Sequence, residues 1–284
     1  MKTIKKIHQP VYEPIQDLIT YRAIPTPSIR YLDPFLFLNH HGPQDYPPNN
    51  NGLPFGPHPH RGMETVTFIL DGDIAHSDSS GEKSVIKSGG VQWMTAGSGL
   101  IHAEVSSDDF KRNGGHLEIL QLWINLPARS KMTKPFYKGL QKDMIPTIPL
   151  DDDKVVVQLV SGDWEGVEGA FHSGIGVQLS TIDFKPEGQL RLTIPETENV
   201  FFYLIRGQME VNGQLVDEKR LVEFENDGQK INIRATKPSV LLLGYAPPLK
   251  EPVVSQGPFV MNTREEIEQA YEDYQNGKFG SWNH

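Results

Sequence analysis

Two short histidine clusters carry the side chains best suited to chemistry. One is His58-Pro59-His60, within Gly52-Leu-Pro-Phe-Gly-Pro-His58-Pro-His60-Arg-Gly-Met-Glu64; the other is His102-Ala103-Glu104, reached through Gly97-Ser-Gly99-Leu-Ile-His102. A β-strand turns successive side chains to opposite faces, so residues at i and i+2 share a face. His58 with His60, and His102 with Glu104, would therefore each aim two ligand groups one way from separate strands. If those strands are neighbours, three imidazoles and a carboxylate converge. Such a set binds a divalent first-row metal and leaves room for a reactant, and with no cysteine in the chain no thiolate can close the site.

The elements needed to position these groups are strands. Glu64–Leu70, Gly90–Thr95 and His116–Ile124 are short β-rich runs bounded by glycine, and Val155–Val160, Val200–Ile205 and Ser239–Gly244 repeat the style in the second half. Regularly spaced short strands with Gly and Pro turns predict an all-β sandwich or barrel. One good helix is expected over 263–274. Thr263 is its N-cap, Glu266 completes a capping box, Gly277 stops it, and Ile267, Ala270, Tyr271 and Tyr274 form its apolar stripe.

The spacing of Gly52, His58, His60 and Glu64, followed by Gly97, Gly99 and His102, resembles the cupin motifs. The string His58-Pro-His60-Arg-Gly-Met-Glu-Thr-Val-Thr is similar to the signature of the pirin family of two-domain cupins. So are Gln92-Trp-Met-Thr-Ala-Gly97, Gln121-Leu-Trp123-Ile-Asn-Leu-Pro127, Gly257-Pro-Phe-Val-Met-Asn-Thr263 and Asp33-Pro-Phe, although the last strand ends in His40-His41. The resemblance runs from about residue 20 to the C-terminus. It implies an all-β bicupin: two tandem β-sandwich (double-stranded β-helix) domains with a C-terminal helix. It also implies one divalent metal per chain, most often Fe(2+), with Mn, Ni, Cu and Co compatible. The implied ligands are His58, His60, His102 and Glu104. In the generic cupin motif the carboxylate ligand would instead be Glu64, which the pirin pattern leaves in a supporting role.

A duplication is visible inside the chain. Thr65-Val-Thr-Phe-Ile-Leu-Asp-Gly72 aligns with Val200-Phe-Phe-Tyr-Leu-Ile-Arg-Gly207, and pairing Gly90 with Gly228 extends it. The alignment sends His58 to Thr193, His60 to Pro195, His102 to Val240 and Glu104 to Leu242, so the second copy is expected to hold no metal. We expect a metal-binding N-terminal domain over residues 1–135 and a degenerate cupin with the C-terminal helix over 136–284.

Composition narrows the partners. Charged residues make up 22% and hydrophobic ones 37% of 284 residues, a globular balance. A net charge of −9 argues against direct nucleic-acid binding, which draws its affinity from a basic face. Lys131, Lys134, Lys138 and Lys142 around Arg129 read as a solvated connection between domains. No secretory signal or membrane-length apolar run is present, so a cytoplasmic protein is expected.

Through the family resemblance, Glu104 would also be the catalytic proton acceptor of a flavonol dioxygenase, a quercetinase-type oxidoreductase taking dioxygen and a small aromatic substrate. Two other classes fit the same ligands: a metal- or redox-sensing interaction protein, and a cupin isomerase. Trp93, Met94 and Trp123 read as core, Arg61 as half of a structural ion pair, and His40 and His41 as loop residues. No role is assigned to His8, His76, His116, His172 or His284.

Overall fold

A computed structural model describes residues 1–282; His284 lies outside the described residues. Nearly all of the regular structure is antiparallel β, and it forms two compact units. Each unit is built from a seven-stranded and a four-stranded sheet, the bicupin arrangement.

The units are not consecutive in sequence. One comprises 12–22, 34–142 and 249–284; the other comprises 1–11, 23–33 and 143–248. A single cut after residue 135 does not describe them. Strand Phe136–Leu140 pairs with Val91–Thr95 in the first unit, and strand Ile4–His8 pairs with Arg220–Phe224 in the second. The C-terminal segment belongs to the first unit. It carries helix Arg264–Gln275, with Thr263 and Glu266 forming the expected capping box. Its buried residues are Ile267, Ala270 and Asp273, whereas Tyr274 of the expected stripe is 38% exposed. A second helix, Asp108–Asn113, was not foreseen; Ser107 caps it by accepting from the Phe110 amide.

The two units repeat one topology. In the first, the large sheet runs Phe136–Leu140, Val91–Thr95, Met63–Asp71, Gly115–Asn125, Phe35–Tyr46, then Thr20–Ile24 and Val11–Tyr12. In the second, the corresponding order begins Ile4–His8, Arg220–Phe224, Asn199–Arg206, Ser239–Ala246. The small sheets match as well. Phe55–His60, Leu100–Val105, Asp73–Asp78 and Lys83–Lys87 are answered by Gln189–Thr193, Lys230–Ala235, Gln208–Val211 and Gln214–Asp217.

Register corrects the residue-level alignment of the two copies. His58 faces His102 as Leu192 faces Ile231, and Glu104 faces His76 as Ile233 faces Val211. The counterparts of His58, His60, His102 and Glu104 are therefore Leu192, Ile194, Ile231 and Ile233. Thr193 and Pro195 are one residue out of phase, and Val240 and Leu242 lie on the wrong strand, Ser239–Ala246. A one-residue slip moves every side chain to the other face. The corrected positions all lie in one apolar cluster.

Candidate metal centre

Strand Phe55–His60 pairs antiparallel with Leu100–Val105, His102 directly opposite His58 and Leu100 opposite His60. Adjacent strands with i, i+2 spacing thus bring three imidazoles onto one face. Their ligand atoms lie within 4.8 Å of one another. His102 and His60 are buried at 0% and 3% exposure, and His58 is half-buried.

The ring orientations are set by carbonyls. His58 Nδ1 lies 2.7 Å from Gly56 O, and His60 Nδ1 lies 3.2 Å from Pro258 O. A carbonyl can only accept, so each Nδ1 carries the proton and each Nε2 keeps a lone pair. His58 Nε2 meets His102 Nε2 at 3.0 Å. Burial drives the His60 imidazole down to a pKa of about 3 and His102 well below its ordinary value, with neighbouring histidines adding to both shifts. His60 and His102 are thus neutral at physiological pH, the form that ligates metal. Neutral imidazoles with converging nitrogens and no sulfur suit a divalent first-row metal, so the residues present fit one.

Glu104 stands beside this cluster and is not among the groups within 4.8 Å. The ladder shifts register between His102 and Glu104, which sets Glu104 opposite Phe55. Its Oε1 accepts from Gln92 Nε2 and lies 2.9 Å from Thr67 Oγ1. Thr67 Oγ1 is also 2.7 Å from Gln121 Oε1, its single hydrogen serving one oxygen at a time. Tyr137 OH donates to Gln92 Oε1 at 3.1 Å. Glu104 is held in a polar network with Gln92, Thr67 and Tyr137 beside the histidine cluster. Glu64 points the other way from strand Met63–Asp71, because even and odd residues take opposite faces. Its Oε1 accepts from Thr95 Oγ1 at 2.7 Å, and burial raises its pKa.

His76 is the neighbour that sequence reasoning passed over. It sits directly across from Glu104 on strand Asp73–Asp78, stacks on the Tyr137 ring at 3.7 Å, and lies 5.6 Å from the His102 ring. The signal was His76-x-Asp78, an i, i+2 pair, but nothing local marks it as facing the cluster.

Other expectations divide. Trp93 and Met94 are buried as expected, but Trp123 is half-buried, edge-on to His60 at 5.2 Å and stacked on Phe37 at 4.5 Å. Arg61 is indeed structural: it pairs with Asp273 at 2.8 Å, donates to Ser98 O, and lies over the Phe279 ring. Lys131 is no solvated residue. It is 1% exposed and donates to Asn125 Oδ1, Gly62 O and Val260 O at 2.7–3.0 Å, and burial lowers its pKa to about 8. His40 and His41 sit within strand Phe35–Tyr46 rather than in a loop, His40 bonded to Glu118 and His41 to Thr20. His8 is likewise buried, between Glu223 and Ser28. A cleft of about 470 Å³ lined by Trp164, Arg191 and Tyr245 belongs to the other unit and includes none of the cluster residues. Its size would suit a small molecule, but convergent ligand groups mark a reactive site better than volume does.

Comparisons with known proteins agree with this architecture. The Pirin family model matches residues 17–124, and the model for the pirin C-terminal cupin domain matches residues 179–280. A Pseudomonas aeruginosa protein whose name gives quercetin 2,3-dioxygenase as a provisional activity is 36% identical, over 94% of this chain and 92% of its own length. A crystal structure of quercetin 2,3-dioxygenase from Acinetobacter baumannii superposes with a TM-score of 0.93 at 33% identity, covering 99% of each chain. A bacterial pirin from Escherichia coli, solved in complex with nickel(II), superposes with a TM-score of 0.68 at 22% identity, covering 86% of this chain and all of that one. This last likeness shows the fold alone.

Proposed function

Because the chain belongs to the pirin family, we propose that it is a metal-dependent dioxygenase that cleaves a flavonol such as quercetin. The observation that carries the reading is the convergence of His58, His60 and His102 within 4.8 Å beside the hydrogen-bonded carboxylate of Glu104. His58, His60 and His102 would hold one divalent metal, with iron the expected ion, and Glu104 would complete the set. The metal, when bound, would acidify a flavonol 3-hydroxyl and allow electron transfer toward dioxygen.

The protein's own groups do the rest. Gly56 O and Pro258 O fix two imidazoles so that their Nε2 atoms face the centre. Glu104 accepts the 3-hydroxyl proton on its carboxylate, a base contribution on the order of 10²–10⁴-fold. Gln92 and Thr67 hold that carboxylate in place through its Oε1. Trp123, half-buried against His60, offers a flat apolar wall to an aromatic substrate. The ion pair Arg61–Asp273 and the bond from Lys131 to Gly62 O fasten the chain just beyond His60.

Aerobic turnover of quercetin by the Fe(II)-loaded protein, followed by loss of near-visible absorbance with carbon monoxide detection, is the test. Zinc-loaded and metal-free protein should show the same low background, since zinc has no accessible redox change. Equal turnover by the metal-free and iron forms would sink the enzyme reading and favour a metal-responsive interaction protein.

A further inference from the structure

His76 and Asp78 stand apart from the three converging imidazoles, yet both are almost wholly buried, at 3% and 1% exposure. His76 Nε2 meets Asp78 Oδ2 at 2.9 Å. Asp78 is in turn held by Ser80, whose amide and hydroxyl both donate to its Oδ1, and these bonds with His76 keep its pKa low against the cost of burial. An ionised carboxylate only accepts, so His76 donates from Nε2, and in the neutral ring Nδ1 presents a lone pair. That Nδ1 is buried without a hydrogen-bond partner among the described residues.

His102 presents the complementary defect. Its Nε2 faces the cluster, and its Nδ1 is also buried with no partner among the described residues. If Nε2 gives its lone pair to a metal, Nδ1 must carry the proton and needs an acceptor. His58 and His60 meet that need with Gly56 O and Pro258 O; His102 alone has none. A buried donor and a buried acceptor each left unsatisfied are destabilising. The His76 and His102 rings are diagonal neighbours across paired strands, centroids 5.6 Å apart at 51°.

We infer that Asp78 and His76 form a relay that orients His102: Asp78 fixes the tautomer of His76, and His76 Nδ1 accepts the Nδ1–H of His102 through one shared water. His76 is thus a positioning residue for the metal centre, doing for the third imidazole what two backbone carbonyls do for the others. Outer-sphere acceptors of this kind raise ligand basicity, and losing one costs roughly 10–100-fold in metal affinity. The stack on Tyr137 holds the His76 ring plane, so the acceptor stays aimed. The inference rests on the metal reading of the histidine cluster.

The test uses Co(II) as the metal probe on the full chain. His76→Phe keeps a flat ring against Tyr137 and removes the acceptor; its Co(II) affinity should fall roughly 10–100-fold. His76→Gln, with an amide oxygen that can accept, should recover most of that loss. In the Co(II)-loaded wild type, each ligating imidazole should give one hyperfine-shifted exchangeable N–H signal. In His76→Phe at saturating Co(II), one of the three should exchange with solvent much faster, which a merely structural role would not produce. Asp78→Asn should weaken Co(II) binding in the same direction, because the amide no longer fixes the His76 tautomer; it serves as the second variant if His76→Phe does not fold. Unchanged affinity together with three protected signals in His76→Phe, or unchanged affinity in Asp78→Asn, would overturn the relay. His58→Ala separates the two ideas: if it loses Co(II) while His76→Phe does not, the metal reading stands and the relay fails, and if it binds as wild type the metal reading itself fails.

Discussion

The two units share a topology strand for strand and differ in what fills them. In the large sheet of the first, Thr67 is flanked across the ladder by Gln92 and Gln121. At the same place in the second stands Phe202, flanked by Val222 and Leu243. In the small sheets, His58, His102, His76 and Glu104 give way to Leu192, Ile231, Val211 and Ile233. The second interior is a continuous apolar cluster. In the first, Leu18, Ile69, Ile74 and Ile119 belong to one apolar cluster, and Met94, Ala96 and Leu100 form a smaller one that reaches the strand bearing His102. One architecture can thus be held by burial alone or can carry a polar centre, provided each buried polar group finds a partner. In the unit with the site, the Nδ1 atoms of His76 and His102 are buried with no hydrogen-bond partner among the described residues.

The sharpest way to break this comparison is to count metal. Protein reconstituted with Fe(II) should bind one equivalent per chain by elemental analysis, and His58→Ala or His102→Ala should each lose most of it. Two tight sites would overturn the contrast between the interiors. Next in size is Phe202→Ala, which removes a 1% exposed ring from the apolar unit and should cost about 3–5 kcal/mol in denaturant unfolding. Thr67→Val, at the matching place, should cost less, about 1–3 kcal/mol, because it leaves the volume nearly unchanged and removes only the hydrogen bond Thr67 donates and the one it accepts from Gln92. Similar losses at the two positions would mean that both units are stabilised in the same way.

Chemistry offers a third contrast, between two carboxylates of the first unit. Glu104→Gln should still load at saturating metal but decay bound flavonol at least about 10²-fold more slowly in single turnover, as the loss of a base requires. Glu64→Gln, on the opposite face, should stay within about tenfold. If Glu64→Gln abolished metal binding while Glu104→Gln changed nothing, the generic cupin ligand set would replace the one proposed.

The smallest effect concerns pH. Hydrogen bonds from Lys278 and Arg61 hold the Asp273 carboxyl down at about 2. A depressed acid stabilises the fold above its unfolded value near 4 and loses that contribution as pH falls from about 4 toward 2. Thermal melts of Asp273→Asn should be lower at neutral pH and flatter than wild type over that window. An unchanged slope would show that the buried pair contributes little to the first unit.

Much of this protein was legible in its sequence, and the reason is periodicity. Spacing of i and i+2 on a strand states which side chains share a face, so His58 with His60, the third histidine His102, and the apolar repeat of the second half could be read directly. The capping box at Thr263 and Glu266 was equally local. The internal duplication was visible too, but its phase was not, since ladder register is a contact between strands and not a property of either one; Leu192 and Ile231 emerge only from pairing. Lys131 looked solvated because nothing local shows that Gly62 O, Asn125 and Val260 O converge on it. His76 looked idle because its partners, His102 and Tyr137, come from strands far along the chain. The sequence by itself determined the chemistry available and the faces that carry it. Tertiary structure decided which faces meet, and with that, which buried nitrogen finds an acceptor.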